Sequence, residues 1–241
     1  DEAPATPAAT TAEATVAMPR TSSAASEASR VPGLGVGGVR DVEALAAAHD
    51  RARPESYVAR VRARRIASDY DVVTRNVTLR VAGDRYRADV VAERAGERTN
   101  RAAVYGDGDA RWAGTRRDGG WTVERLGAHE TGAAGVDPTT LGPTGVRNAL
   151  ATPETDVSGP VEYAGWPAYR VVGTGVPASV TDAVETYRVV AHVRPDGFVY
   201  AVRIEYTLLG PRLSDRSLEW RYVRSGATVE MPLWHPEAGD D

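Results

Sequence analysis

Apolar and polar side chains alternate with a period of two along most of the chain after residue 56, the signature of strands buried on one face and wet on the other. In "SYVARVRARR", Tyr57, Ala59, Val61 and Ala63 fall on one face and Arg60, Arg62 and Arg64 on the other. Arg65 breaks the rhythm near the strand end, where a turn or bulge would direct it outward. Val73, Val77, Leu79 and Val81, interrupted by Arg75, mark a second strand, and Tyr86, Ala88 and Val90 a third after the "AGDR" turn. Segments 99–105, 109–116 and 120–125 follow, separated by "GDGD" and "RDGG", both strong hairpin signals. Between 126 and 158 the pattern fails, with Pro and Gly clusters flanking one short helix at 144–151. Strands resume at 160–164, 167–173, 185–194, 197–209 and 215–224, giving about eleven.

Ahead of the strands, residues 41–53 predict an amphipathic helix. Asp41 is placed to cap it, Glu43 favours the positive helix end, Val42, Leu45, His49 and Ala52 recur at helical spacing, and Pro54 ends it. His49 lies on the apolar stripe, so its imidazole is expected to be buried and hydrogen-bonded to the sheet or a loop carbonyl. Residues 1–39 are rich in Ala, Thr, Ser and Pro and have no periodicity, which reads as a disordered leader or stalk before a β-rich domain at 40–241. Strands never alternate with long helices, which disfavours a parallel α/β sheet. The fold class expected is α+β: a strongly curved antiparallel sheet of about eleven strands, a half-barrel, enclosing the N-terminal helix and the short central helical insertion.

Composition narrows the chemistry. All 29 basic residues are Arg, cysteine is absent, and 33 acidic residues give a net charge of −4. The missing cysteines exclude thiol catalysis, Cys-ligated zinc and disulfides, and the missing lysine excludes a P-loop despite "GLGVGG" at 33–38. The first half of the predicted sheet is modestly basic and the remainder acidic, and no recognition module accompanies the arginines, so nucleic acid is not an expected partner. His49, His129, His192 and His235 are far apart without metal-ligand spacing, and no G-x-S-x-G elbow occurs. Asp107 and Asp109 sit in the "GDGD" turn, where turn geometry explains them as well as a cation would. No catalytic residue, metal or cofactor is expected, and the protein is not read as an enzyme. "NVT" at 76–78 makes Asn76 a candidate glycosylation site on the polar side of its strand.

The Thr/Ala/Pro-rich leader, "GVRDVEALAAAHDRA", "SYVARVRARR", "PAYRVVGTG", "GFVYAVRIEYTLL" and the terminal "VEMPLWHPEA" together resemble uncharacterised haloarchaeal secreted lipoproteins. Their predicted body is similar to the half-barrel of bacterial LolA and LppX lipoprotein or lipid carriers. The resemblance implies a cell-surface location and membrane association through an N-terminal lipid anchor on a cysteine absent from this chain, which opens at Asp1. It also implies a concave apolar sheet face that holds acyl chains in the carriers. On this reading Tyr57, Tyr86, Trp112, Tyr187, Tyr200, Tyr206, Trp220 and Tyr222 line a ligand-binding face, or pack as core against the two helical pieces. The partners expected are a lipid or other apolar ligand. The alternative is a structural, adhesion or interaction module that meets a cell-envelope protein.

Overall fold

The computed structural model describes residues 27–66, 72–108, 110–127, 130–178, 180, 183–209 and 214–238. A small hairpin, β1 (Leu34–Gly35) and β2 (Gly38–Val39), leads into helix α1 (Val42–Ala52). The Asp41 side chain accepts the Ala44 N–H at 2.9 Å, satisfying one of the orphan donors of the first turn. Six strands follow: β3 (Ser56–Ile66), β4 (Val72–Ala82), β5 (Arg85–Arg94), β6 (Glu97–Asp107), β7 (Ala110–Arg117) and β8 (Gly120–Arg125). An insertion carries two 3-10 turns, Gly132–Ala134 and Pro138–Leu141, and helix α2 (Pro143–Leu150). The chain then forms β9 (Glu154–Tyr163), β10 (Trp166–Thr174), β11 (Val184–Val193), β12 (Val199–Leu208) and β13 (Ser214–Ser225).

The eleven strands β3–β13 make one antiparallel sheet in the order β8-β7-β6-β5-β4-β3-β13-β12-β11-β10-β9. Two meanders run outward from a central seam where β3 pairs with β13. The expected half-barrel is corrected by this order. The sheet is open, neither curled nor closed on itself, and ends in two separate edges, β8 and β9. Alternation told which side of each strand is buried, but curvature is set by stagger and tilt between strands, which alternation does not encode. The helices therefore lie against one face of an open sheet and are not enclosed by it.

Several boundaries also move. β5 and β6 run on to a tight turn at Ala95 and Gly96, both with positive φ (50° and 86°), the type I′ geometry that matches strand twist. β9 begins at Glu154, inside the stretch whose pattern fails. The ordered body extends N-terminal of residue 40: Ala28, Val31 and Leu34 are buried in the core. The β1–β2 hairpin docks on β9 through the Val39 N–H, which donates to Thr155 Oγ1 at 2.8 Å. Gly38, at φ 127°, approaches so closely that a Cβ there would stand 2.6 Å from the Thr155 carbonyl oxygen. The rest of the expected leader, residues 1–26, lies outside the described residues. Among the described residues no helix is long and apolar enough to cross a membrane.

The central seam displays the two faces. Val61 is opposite Trp220 and Val77, all buried, whereas Arg62 is opposite Glu219 and Asn76 on the solvent side. Arg60, Arg62 and Arg64 are exposed on this outer face. A triple Arg60→Gln, Arg62→Gln, Arg64→Gln variant is expected to change unfolding free energy by no more than about 0.5 kcal/mol per site. Urea denaturation measures this, and a loss of several kcal/mol would contradict the face assignment. Arg65, by contrast, does not turn outward. The β3–β4 register runs without a bulge from Ser56 to Ile66, so Arg65 shares the inner face with Val61 and Ala63. The outer face is not uniformly wet either. The C-terminal segment lies over β6–β8, where Trp234 stacks on Trp121 at 5.6 Å and His235 meets Tyr105 and Trp112 edge-on.

Candidate functional site

A buried histidine ties the inner face to its helical cover. His49, fully buried on α1, has its Nε2 2.9 Å from the Leu141 carbonyl oxygen, while its Nδ1 lies 3.1 Å from the Val199 backbone nitrogen. The Val199 N–H donates, so Nδ1 must be the acceptor and Nε2 must carry the proton: a neutral imidazole of one tautomer. Burial pulls its pKa down from the ordinary 6.5 to about 4. The ring stacks on Phe198 at 5.3 Å and packs against Trp220 and Tyr222. The buried histidine bonded to a loop carbonyl and to the sheet was legible in the helical spacing.

The aromatic residues expected to line one ligand face separate into three groups. Tyr57, Tyr86 and Tyr222 are core. Tyr57 meets Tyr222 edge-on at 4.9 Å and the Tyr222 hydroxyl donates to the Leu141 carbonyl at 2.8 Å. Tyr86 covers Gly106, where any Cβ would collide with its ring. Burial raises the pKa of all three phenols, so they stay protonated.

Trp112 and Tyr200 do not join them. Trp112 pairs with Tyr105 on the outer face, beneath the C-terminal segment and with Arg125 over its ring. Its strand places Arg111 inward instead, where it pairs with Asp137 of the insertion at 3.6 Å. Tyr200 sits at a bulge of the β11–β12 pairing, with its ring against Tyr163, which in turn stacks on His192.

Tyr187, Tyr206 and Trp220 do come together, at an open groove of about 540 Å³ between the insertion and β11–β13. Trp220, 1 % exposed, is the floor. Tyr187 is anchored by its hydroxyl donating to the Ala149 carbonyl at 3.1 Å, and burial pushes its phenol pKa up. Val184, Ile204, Leu208 and Leu218 complete the sheet wall, and Thr139, Thr140, Thr144 and Asn148 form the opposite rim. The volume falls within the roughly 300–1,000 Å³ usual for small-molecule sites. α2 is positioned over it by its contact with α1, where the Arg147 guanidinium donates to the Glu43 carboxylate and holds that acid below its usual pKa. Ile204 and Leu218 lie on the apolar side of their alternating strands. Their role at a groove depends on the insertion stopping short of them.

The remaining sequence candidates are dispersed. His192 and His235 lie on the outer face in separate aromatic clusters, and His129 and Asp109 lie outside the described residues. Among the described residues no group of three or more His, Asp or Glu side chains is placed to hold a metal ion. Asn76 is half-buried in the middle of β4, opposite Arg62 and Val91.

No family model matches the chain, and no curated protein matches it. Among solved structures it is similar to a LolA superfamily protein from Nitrosomonas europaea at 13% identity, over 81% of this chain and 98% of that one, with a TM-score of 0.33. A superposition of that quality transfers neither architecture nor activity. The resemblance to secreted haloarchaeal lipoproteins with a LolA- or LppX-like half-barrel is corrected by the open strand order, and the comparisons lend no support to a haloarchaeal, secreted or glycosylated protein.

Proposed function

We propose that this protein binds a hydrophobic ligand, such as an acyl chain, in the groove between α2 and strands β11–β13, acting as a non-catalytic carrier or receptor of the cell envelope. The observation that supports this reading is an apolar wall left uncovered beside an otherwise filled core. Leu218, Ile204 and Tyr206 are only partly buried although they continue the same inner face as the fully buried Trp220 and Val202. Burying a wall of this kind is worth about 25 cal/mol per Å² of apolar surface removed from water.

The test uses the neutral fluorophore N-phenyl-1-naphthylamine. Binding is expected to be saturable, and Asn148→Trp, at an exposed position on the rim, is expected to weaken it at least about tenfold by filling the groove. Extraction of the native protein followed by lipid mass spectrometry is expected to recover an apolar compound. An absence of both probe binding and extracted lipid sinks this reading and favours a protein-interaction module.

A further inference from the structure

The groove continues into a cluster of arginines. Arg216 on β13 is directly opposite Tyr206 of β12 on one side and Arg65 of β3 on the other. One pair along, Leu218 is opposite Ala63, which is opposite Arg75 of β4. Direct cross-strand partners share a face, so Arg65, Arg75 and Arg216 all belong to the inner face, the side on which an antiparallel sheet normally places apolar residues. They surround a depression of about 300 Å³ that shares Tyr206 and Leu218 with the apolar groove.

Three features of this cluster favour an incoming anion. Arg65 and Arg216 are like charges in directly opposed positions, an arrangement that destabilises a sheet. Several other arginines have carboxylates beside them, as Arg87 has Asp89 and Arg203 has Glu205. Among the described residues none of Arg65, Arg75 and Arg216 has a carboxylate within ion-pair reach. Finally, the Nε of Arg216 is buried and has no hydrogen-bond partner. A buried donor left unpaired costs about 1–3 kcal/mol, and more on a charged group. All three features are relieved by one event, the arrival of an anion. The guanidinium fork is suited to binding a carboxylate or a phosphate through paired hydrogen bonds.

We infer that the ligand is a single-chain amphiphile with an anionic headgroup, its chain lying along Leu218, Tyr206 and Ile204 and its head held by Arg65, Arg75 and Arg216. The inference rests on the groove being a ligand site and adds the charge of the ligand. A fatty-acid carboxylate and a lysophospholipid phosphate supply the same chemistry.

Competition against N-phenyl-1-naphthylamine with oleate, oleoyl lysophosphatidate and neutral oleyl alcohol tests it on the intact chain. At least one of the two anions is expected to bind about tenfold or more tightly than the alcohol, and which one does identifies the headgroup. That preference is expected to shrink as NaCl is raised from low to high concentration, since a partly exposed cluster is screened. Arg216→Gln, and separately Arg65→Gln with Arg75→Gln, should bring the ratio of anion to alcohol affinity to about one, whereas Arg62→Gln on the outer face should leave the ratio as it is. Circular dichroism of each variant establishes that it is folded. If Arg216→Gln does not fold, the double variant and the salt series on the unaltered protein decide the matter. Equal affinity for anions and alcohol, or an anion preference untouched by either set of arginine variants, overturns the inference while leaving the groove itself standing. Failure of all three compounds to displace the probe, or of the probe to bind, overturns both.

Discussion

His49→Phe is expected to lower the unfolding free energy by about 2–3 kcal/mol at neutral pH and to remove an acid-sensitive part of the protein's stability. Phenylalanine keeps the stacking on Phe198 but accepts no hydrogen bond, so the Val199 N–H is left buried and unpaired. The Leu141 carbonyl is less affected, because the Tyr222 hydroxyl still donates to it.

The pH dependence follows from the same geometry. Burial disfavours the charged imidazole and lowers its pKa to about 4 against 6.5 for a free one, and the second proton would have to go on Nδ1, which faces the Val199 N–H. Between these values the unfolded chain binds the proton and the folded one does not. Stability is therefore fully present above about pH 6.5 and is lost progressively as pH falls toward 4, by up to roughly 3 kcal/mol. Urea denaturation of both proteins over this range measures the difference. A constant gap between His49→Phe and the unaltered protein from pH 7 to pH 4 would show that His49 is not the group responsible.

Trp220→Ala is expected to cost about 3–5 kcal/mol and to lower the melting temperature by roughly 6–20 °C. Its ring is 1 % exposed and packed against His49 and Tyr222, so truncation leaves a cavity between α1 and the seam of the sheet. Tyr206→Ala is the contrasting case. The ring is partly exposed on the groove wall and its hydroxyl has no partner among the described residues, so it should cost about 1 kcal/mol or less while weakening the fluorophore. Scanning calorimetry and probe titration on the two variants separate floor from wall. Equal stability losses would mean that Tyr206 is core and the groove is closed in solution.

Much of the fold was legible along the chain because strand alternation and helix capping are local. The α1 boundaries, the buried imidazole of His49, the outward arginines at 60, 62 and 64, and the approximate number of strands all follow from side chains within a few residues of one another. What escaped were decisions taken between distant segments. Trp112 looked like a wall of the ligand face because it is the largest side chain of its strand. The residues at 234 and 235 cover it from the other side instead, and an arginine goes inward because Asp137 is there to receive it. The broken rhythm at Arg65 predicts a turn or bulge that directs it outward, yet the continuous β3–β4 register leaves it on the inner face beside Arg216. Likewise, Ala28, Val31 and Leu34 belong to a stretch too poor in apolar residues to order itself, and they are buried in the core beside the hairpin that docks on β9.

By itself, then, the sequence determined an antiparallel β-rich body with one buried face, a capped N-terminal helix and a buried histidine, since each depends on periodicity or on a neighbour in the chain. The tertiary structure alone decided that the sheet stays open, that three of eight aromatic candidates meet at a groove, and that three arginines converge at its end. Those outcomes depend on inter-strand register and on where the insertion stops. Both are set by contacts between residues tens of positions apart, which no pattern within a single strand records.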